Sequence, residues 1–553
     1  MPWHDGGVKH FINDRNGVVT EALEAAVLLG GGRLARLDGF PSIKVVVRTD
    51  ADRSQVAVVS GGGAGHEPSH VGFVGEGMLS AAVCGEIFAS PSVEAVLAGI
   101  LAVTGPAGCL LIIKNYTGDR LNFGLAAERA RAMGLDVETV VVADDIAIAD
   151  AARPRGLAGT LFVHKVAGHL ARAGAPLSAV KAGAERAARG AVSIGLSLSS
   201  CTIPGQPAEA RLGPDEAELG LGIHGEPGAS VIPMAPMSEL AFTLARQIEG
   251  ALDARSVPAS PLALLINDLG GVPPIEMAVA ARSIVAAMTR EVALVFGPGR
   301  LMTSLDMKGL SLSALPLDAE LEQALLSEVG PRDWPPGRRL VFPAPLPLAP
   351  SLRPAARVAS AHAPRRRALE RTCEALVAAR AELDALDAKV GDGDTGSTFA
   401  TAARAVLEGL DRLPLADAPA LCAALAELLS TVMGGSSGVL LGILVAAMST
   451  RVGDPPDWPA ALREGLLRVQ RHGGAKPGDR TMLDAFIPAL ASLEAGEGLA
   501  GAARAARRGA DATAAMKAGA GRSSYVREDA LRGLPDPGAV AVALAFEALA
   551  RDP

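Results

Sequence analysis

Residues 331–354 read Pro331-Arg332-Asp333-Trp334-Pro335-Pro336-Gly337-Arg338-Arg339-Leu340-Val341-Phe342-Pro343-Ala344-Pro345-Leu346-Pro347-Leu348-Ala349-Pro350-Ser351-Leu352-Arg353-Pro354. Proline fixes φ and removes a backbone donor, so a stretch this dense is neither helix nor central strand. It reads as a semi-extended linker, closed by Pro364. A chain of 553 residues exceeds what one core organises. The linker therefore divides it into a first domain over 1–334, a connecting stretch over 335–364 and a second domain over 365–553.

The two sides differ in character. Upstream, the β-branched or apolar runs Val45–Val47, Val56–Val59, Leu110–Ile113, Val137–Val142 and Leu262–Ile266 alternate with Ala-rich stretches such as Thr20–Leu29, Phe123–Met133 and Ile275–Met288. That alternation predicts an α/β domain with a largely parallel sheet under covering helices. Its length suggests two subdomains, about 1–185 and 186–334. Downstream, Leu369, Cys373, Leu376, Leu383 and Leu386 keep a helical spacing. Ala/Leu segments follow near 417–432, 438–450, 459–471, 481–494, 498–518 and 537–551, with no strand-like run. This part should be all-α.

Composition narrows the function. The chain is 49% hydrophobic, 20% charged and 3% aromatic, with a formal net charge of −8. Large cores are affordable and disorder is not indicated. The acidic balance, and the lack of a basic block beyond Arg365-Arg366-Arg367, argue against a nucleic-acid partner. Cys84, Cys109, Cys201, Cys373 and Cys422 show no C-x-x-C spacing and read as free thiols in a reducing compartment. No signal-peptide pattern opens the sequence, and the apolar run Val439–Met448 is too short to span a bilayer. A soluble, cytoplasmic protein without a membrane partner is expected.

Glycine-rich motifs follow two of the strands. Ser60-Gly61-Gly62-Gly63-Ala64-Gly65-His66-Glu67-Pro68-Ser69-His70 comes after Val56–Val59, where an open α/β sheet binds ligands. It is not a Walker A loop, because the sequence contains no Gly-Lys dipeptide. Lys114-Asn115-Tyr116-Thr117-Gly118-Asp119 follows Leu110–Ile113. Lys and Asp there could position and deprotonate a hydroxyl, but taken alone the stretch reads first as an ordinary capped turn, with Asp119 starting the helix that follows. In Gly220-Leu221-Gly222-Ile223-His224-Gly225-Glu226-Pro227-Gly228 the glycines clear space around one imidazole. A neutral imidazole is a nucleophile near pH 7 and can add to a carbonyl.

The sharpest signal is Leu386-Asp387-Ala388-Lys389-Val390-Gly391-Asp392-Gly393-Asp394-Thr395-Gly396-Ser397. Crowded carboxylates repel, and a hard cation is their natural compensation. Mg2+ shared with phosphate oxygens fits, whereas the EF-hand register is absent. Further glycine-broken turns precede helical stretches: Gly434-Gly435-Ser436-Ser437-Gly438, Gly473 through Asp484, Gly519 through Tyr525, and Pro535-Asp536-Pro537-Gly538. Helix N-termini bind anions such as phosphate, so a nucleotide site is indicated.

The set as a whole resembles the ATP-dependent dihydroxyacetone kinases, in which a substrate-binding domain is fused to an ATP-binding domain. The resemblance runs from Phe11-Ile12-Asn13-Asp14 to Asp536–Gly538, almost the whole chain. It implies that His224 forms a hemiaminal with the ketone carbon. Gly63, Ala64, Gly65 and His66 would line the substrate, with Lys114 and Asp119 on its hydroxyls. His66 and Asp119 would be the acid/base pair. Asp387, Asp392 and Asp394 would hold two Mg2+ ions. ATP would meet Asp394, Thr395, Gly396, Ser397, Ser436, Ser437, Gly473, Thr481, Met482, Arg522, Asp536, Pro537 and Gly538. The resemblance also implies a barrel of amphipathic helices for the second domain, and a homodimer. Arg480 stands where a lysine is expected, and Val526–Asp529 departs from a more glycine-containing form.

Other readings stay in view. Erythrulose or glyceraldehyde can replace dihydroxyacetone as the acceptor. A phosphocarrier-dependent relative would normally be split into separate chains. A ketose-binding sensor would need His224 and the Gly63–His66 loop but not the Asp trio. Some relatives also cyclise a flavin nucleotide.

Overall fold

The apolar runs of the N-terminal half become strands that are buried on both faces. β1 (Leu34–Arg36), β2 (Lys44–Arg48), β3 (Ala57–Ala64), β4 (Ala81–Ile87), β5 (Cys109–Lys114) and β6 (Val137–Val142) form a six-stranded sheet in the order β1-β2-β4-β3-β5-β6. β4, β3, β5 and β6 are mutually parallel, while β2 runs antiparallel to both its neighbours. β7 (Val192–Ser197), β8 (Glu216–Leu219), β9 (Ser230–Pro233), β10 (Leu262–Asp268), β11 (Val292–Gly299), β12 (Gly309–Pro316) and β13 (Arg338–Arg339) form a seven-stranded sheet, ordered β13-β11-β10-β12-β7-β8-β9. The computed structural model describes residues 9–39, 42–148, 153–207, 210–349 and 357–551.

The expected parallel arrangement holds for the first sheet only. In the second, β10 and β11 are the one parallel pair, joined by the helix Pro274–Ala287. Every other pairing there is antiparallel. Among the described residues, the loops between β7 and β8, β8 and β9, and β11 and β12 contain no helix of the kind that a parallel crossover uses.

Strand periodicity explains the layering. In the first sheet, Val45, Ala57, Val59, Val83 and Leu111 face the helices Val93–Val103 and Thr117–Ala132. The alternate positions Val46, Val58, Leu110 and Ile112 face the other way. There they meet Leu161, Phe162, Val166, Val180 and Ala184 of the helices Thr160–Arg172 and Leu177–Gly190. The same buried cluster continues into Ala263, Leu265, Leu294 and Phe296 of the second sheet. The helices Met237–Ala254 and Pro274–Ala287 cover that sheet's far face. The five layers thus run helix, sheet, helix, sheet, helix, and the two halves share one core.

The chain separates into two compact units, Met1–Ala344 and Pro345–Pro553. The proline-dense stretch is not a free span throughout. Trp334 packs against Phe296 with ring centroids 4.9 Å apart, and Arg338–Arg339 is an edge strand on β11. This is where proline-flanked backbone is tolerated in a sheet.

The second unit contains no strand among its described residues. Its main helices are Ala363–Ala378, Thr395–Gly409, Ala418–Val432, Gly435–Ser449, Trp458–Gly473, Leu483–Glu494, Gly498–Ala512 and Pro537–Ala550. Each packs on the next in this order, and the last packs on the first. The ring is therefore closed, in line with the barrel that the resemblance implies. Leu383, Phe399, Leu444, Leu466, Leu483, Ala506 and Phe546 are part of its core. The apolar run noted at Val439–Met448 lies within one of these helices. Among the described residues, no helix is long and apolar enough to cross a membrane.

Lys165 is fully buried in the middle helical layer and donates to Ala324 O and Ser327 Oγ at the end of the helix Ala319–Leu326. Burial, reinforced by the charge of Arg172, lowers its pKa to about 7. Between about pH 7 and 10 the unfolded chain then binds the extra proton, so this group adds stability as pH rises. Lys165→Met lacks that term. The stability of the native protein relative to Lys165→Met should therefore increase by about 2 kcal/mol from pH 7 to pH 9. Paired urea melts at the two pH values measure it, and a pH-independent difference would contradict the assignment.

Candidate active site

The four parallel strands of the first sheet deliver their C-terminal ends to one edge. β3 ends in Gly61-Gly62-Gly63-Ala64, β4 is followed by Phe88, and β5 ends in Lys114 ahead of the helix Thr117–Ala132. The second sheet contributes two loops to the same place. The 220–229 loop between β8 and β9 carries His224, and the loop between β11 and β12 carries Thr303 and Leu305.

The glycines at this edge make room for close contacts. A Cβ on Gly62 would lie 2.5 Å from Lys114 Nζ and 3.4 Å from Asp119 Oδ2. Lys114 and Asp119 are thus brought together beneath the glycine turn. Both are buried; Lys114 Nζ lies 2.7 Å from His70 Nε2 and 3.4 Å from Gly61 O. Burial lowers the pKa of Lys114, and the Asp119 carboxylate acts in the opposite direction. Ser90 Oγ donates to Asp119 Oδ1 and fixes that carboxylate.

His66 is fully buried, and its Nδ1 lies 2.8 Å from Thr303 O. A carbonyl only accepts, so Nδ1 carries the proton and Nε2 presents a lone pair. Among the described residues, Nε2 has no hydrogen-bond partner. Burial, together with the nearby charges of Lys114 and His224, holds the His66 pKa well below its ordinary value. His66 is therefore a neutral base. Its ring stands edge-on to that of His224, with centroids 4.9 Å apart.

Aromatic rings enclose His224 on further sides. Tyr116 lies 4.4 Å away and Phe88 5.4 Å away, both edge-on. The imidazole keeps about 20% of its side chain exposed, so it is held but reachable. Its backbone N–H donates to Glu226 Oε2 at 2.8 Å. Glu226 Oε1 lies 3.5 Å from Arg155 Nη1, and Arg155 Nε bonds Asp145 Oδ2 at 2.6 Å.

In the second unit, Asp387, Asp392 and Asp394 each offer a carboxylate oxygen, and these oxygens lie within 4.8 Å of one another. Asp387 Oδ2 accepts from the backbone N–H groups of Gly393, Asp394 and Thr395 at 3.1, 3.0 and 3.2 Å. A Cβ on Gly391 would sit 2.4 Å from Asp387 Oδ1. One oxygen therefore shapes the loop while glycine leaves space around the other. This all-oxygen trio suits a hard divalent cation such as Mg2+.

The other nucleotide candidates fall into two groups. Asp536 caps the helix Pro537–Ala550 by accepting from Ala539 N at 2.8 Å. Burial raises its pKa to about 6, and its electrostatic neighbours include Arg480, Asp484 and Asp387. Asp484 accepts from Gly478 N and Thr481 N at 2.5 and 2.8 Å, and Gly538 faces Met482. The acidic loop, Thr481–Met482 and Asp536–Gly538 thus converge. Ser436 and Ser437 lie in the first turn of Gly435–Ser449, and Gly473 packs against Leu440 of that helix. The Gly473–Asp484 stretch leads into the helix Leu483–Glu494, as its motif suggested; Gly473 itself closes Trp458–Gly473, with Gly474 as a left-handed cap at φ 72°. Arg522 heads a short 3-10 helix, Arg522–Tyr525.

A Dak1 domain model matches residues 34–331, and a DAK2 domain model matches residues 389–551. The dihydroxyacetone kinase of Citrobacter freundii is 46% identical over 98% of both chains. The chain belongs to the dihydroxyacetone kinase family. The human triokinase/FMN cyclase is 40% identical over 98% of both chains. The solved structure of the C. freundii kinase in complex with AMP-PNP and Mg2+ superimposes with a TM-score of 0.67 at 46% identity, covering 98% of this chain and 99% of that one.

Within this kinase fold, several residues around the site carried no distinct signal in the sequence. Phe88, Ser90, Arg155 and Thr303 lie far along the chain from the motifs they serve. Asp384 accepts from both Ser397 N and Ser397 Oγ at 2.7 Å, one helical turn ahead of Asp387. Arg480, noted in place of lysine, is fully buried at φ 61° and donates to Leu534 O at 2.9 Å. It braces the turn that presents Asp536.

Two substitutions probe the two groups separately. Gly62→Ala drives a methyl group into Lys114 Nζ and should raise the ketose KM by about tenfold, leaving the ATP KM unchanged. Asp384→Ala releases Ser397 and should raise the ATP KM by about tenfold, leaving the ketose KM unchanged. Steady-state kinetics with each substrate varied in turn would show whether the effects separate in this way.

Proposed function

We propose that this chain is an ATP- and Mg2+-dependent kinase of dihydroxyacetone, or a close short ketose, whose ketone is held as a hemiaminal on His224. The observation that carries the reading is the set of groups around that imidazole. His224 is pinned by Tyr116 and Phe88 beside the free Nε2 of His66, in the same unit as the buried Lys114–Asp119 pair. The names of the relatives support the same reaction class.

A ring nitrogen of His224 adds to the ketone carbon, and a C–N bond forms as the C=O π bond breaks. The carbonyl oxygen gains one proton while the imidazole releases one, so the total charge is unchanged. The adduct selects by reactivity: glycerol offers hydroxyls of similar size but no carbonyl carbon. Gly63, Ala64 and Gly65 line the held ketose, and Lys114 and Asp119 bond its hydroxyls. His66 Nε2, with Asp119 as its partner in proton transfer, takes the proton of the attacking hydroxyl. That oxygen bonds to the γ-phosphorus as the bond to the β-phosphate oxygen breaks, giving the phosphorylated ketose and ADP.

The transfer demands positioning and charge neutralisation more than covalent chemistry from the protein. Asp387, Asp392 and Asp394 would hold Mg2+, which would supply charge neutralisation at the phosphates. Asp394, Thr395, Gly396, Ser397, Ser436, Ser437, Gly473, Thr481, Met482, Arg522, Asp536, Pro537 and Gly538 form the nucleotide contacts. The domain division at the proline-dense stretch, a cytoplasmic location and a homodimer complete the proposal. The acidic trio speaks against a sensor, which has no use for it.

Purified protein with ATP and Mg2+ should release ADP with dihydroxyacetone and without any phosphocarrier. Release should fall to background with glycerol, with His224→Ala and with Asp392→Ala. A coupled ADP assay measures this. Failure to release ADP with any short ketose would overturn the kinase reading, and full activity in Asp392→Ala would return the sensor to the front.

A further inference from the structure

The carboxylate beside His224 has no part in the mechanism above, yet the loop is built around it. A Cβ on Gly222 would lie 1.9 Å from Glu226 Oε1 and 2.8 Å from Arg155 Nη1, so glycine is needed for this carboxylate and guanidinium to pack where they do. Glu226 Oε2 holds the His224 backbone N–H at 2.8 Å, while Oε1 faces ring Nδ1 at 3.9 Å. Arg155 stands behind Oε1 at 3.5 Å. It is itself anchored by Asp145 at 2.6 Å and by Gly220 O at 2.7 Å. Asp145 in turn caps the start of its own loop through Ala147 N at 2.9 Å.

We propose that Glu226, fixed by Arg155 and Asp145, is a positioning residue that keeps the proton of His224 on Nδ1 and so leaves Nε2 as the nucleophile toward the ketone. The inference rests on the covalent reading of His224. A carboxylate accepts only, so a ring nitrogen facing it is favoured as N–H, and the opposite nitrogen keeps its lone pair. At 3.9 Å the contact is electrostatic rather than a hydrogen bond. Hydrogen bonds around a reacting group are often long without substrate and tighten when it binds. Burial alone would raise the pKa of Glu226, but His224 and Arg155 overcome it and hold the group at about 2. The carboxylate is therefore ionised throughout the working range. As the ring adds to the ketone, positive charge develops on the imidazole, and Nδ1 is the atom that gives up the balancing proton. Glu226 stabilises that charge, Arg155 keeps Glu226 from swinging away, and the Tyr116 ring limits rotation of the imidazole.

Glu226→Gln tests this with little change in volume. Its amide oxygen can still accept the His224 N–H, but its NH2 then faces Nδ1. A donor there draws the proton to Nε2 and removes the nucleophile. Dihydroxyacetone labelled with 13C at the ketone carbon, mixed with excess protein without nucleotide, should show a tetrahedral carbon signal in the native enzyme. The signal should fall by about tenfold or more in Glu226→Gln, and kcat/KM for the ketose should fall by about 100-fold. The melting temperature tells a folding defect apart. Glu226→Asp, which keeps the charge, should recover part of both readouts, and Arg155→Lys should lose part of both. A native-level adduct in Glu226→Gln, with kcat/KM within about threefold, would overturn the positioning role while leaving the covalent step intact. Absence of a tetrahedral carbon in the native enzyme would instead remove the covalent reading itself, and this inference with it.

Discussion

Backbone hydrogen bonds tie the two sheets together at the candidate ketose site. Thr303 N donates to His66 O at 3.1 Å, and Leu305 N donates to Gly65 O at 2.9 Å. They tie the glycine-rich end of β3 to a loop of the other sheet. Without that tie, Lys114 and Asp119 would belong to one layer and His224 to another. The shared apolar core brings the sheets to the correct separation, but burial is not directional and cannot set a register. The backbone bonds set it. The same loop then uses Thr303 O to fix the tautomer of His66, so one segment decides both where the two halves meet and which histidine nitrogen is basic.

Much of this architecture was legible because periodicity and composition carry it. The strands around Val45, Val59, Leu111, Val140 and Leu264 were visible as β-branched or apolar runs, and the helical unit as repeated Ala/Leu segments. The glycine motifs were legible for a related reason. Gly62, Gly222 and Gly391 each stand where a methyl group would strike a charged side chain of the candidate sites. Glycine there records the position of Lys114, Glu226 or Asp387 as surely as the charged residue does.

What stayed hidden was decided by tertiary context. β4, β7, β8, β11 and β12 lie among short or mixed-pattern segments, and their direction follows from loops that have no marked chemistry. Phe88, Ser90, Arg155 and Thr303 act on motifs far away in the chain, so no local pattern points to them. Gly473 plays a part that its motif did not show: glycine marks helix C-termini as well as phosphate-binding turns, and here it ends Trp458–Gly473 before the same stretch leads into Leu483–Glu494.

The closed ring of helices also has a consequence for how the protein comes into being. Asp536–Gly538 begins the final helix, Pro537–Ala550, which seals the ring by packing against Ala363–Ala378. The groups gathered around the acidic loop are therefore incomplete until the helix Pro537–Ala550 has left the ribosome. The first unit can close its own core much earlier. The newborn polypeptide thus acquires its sugar-facing half long before its energy-supplying half. Loss of Asp536 and the helix Pro537–Ala550 would open the ring and remove Asp536–Gly538 from the groups around the acidic loop, while leaving the first unit's residues untouched.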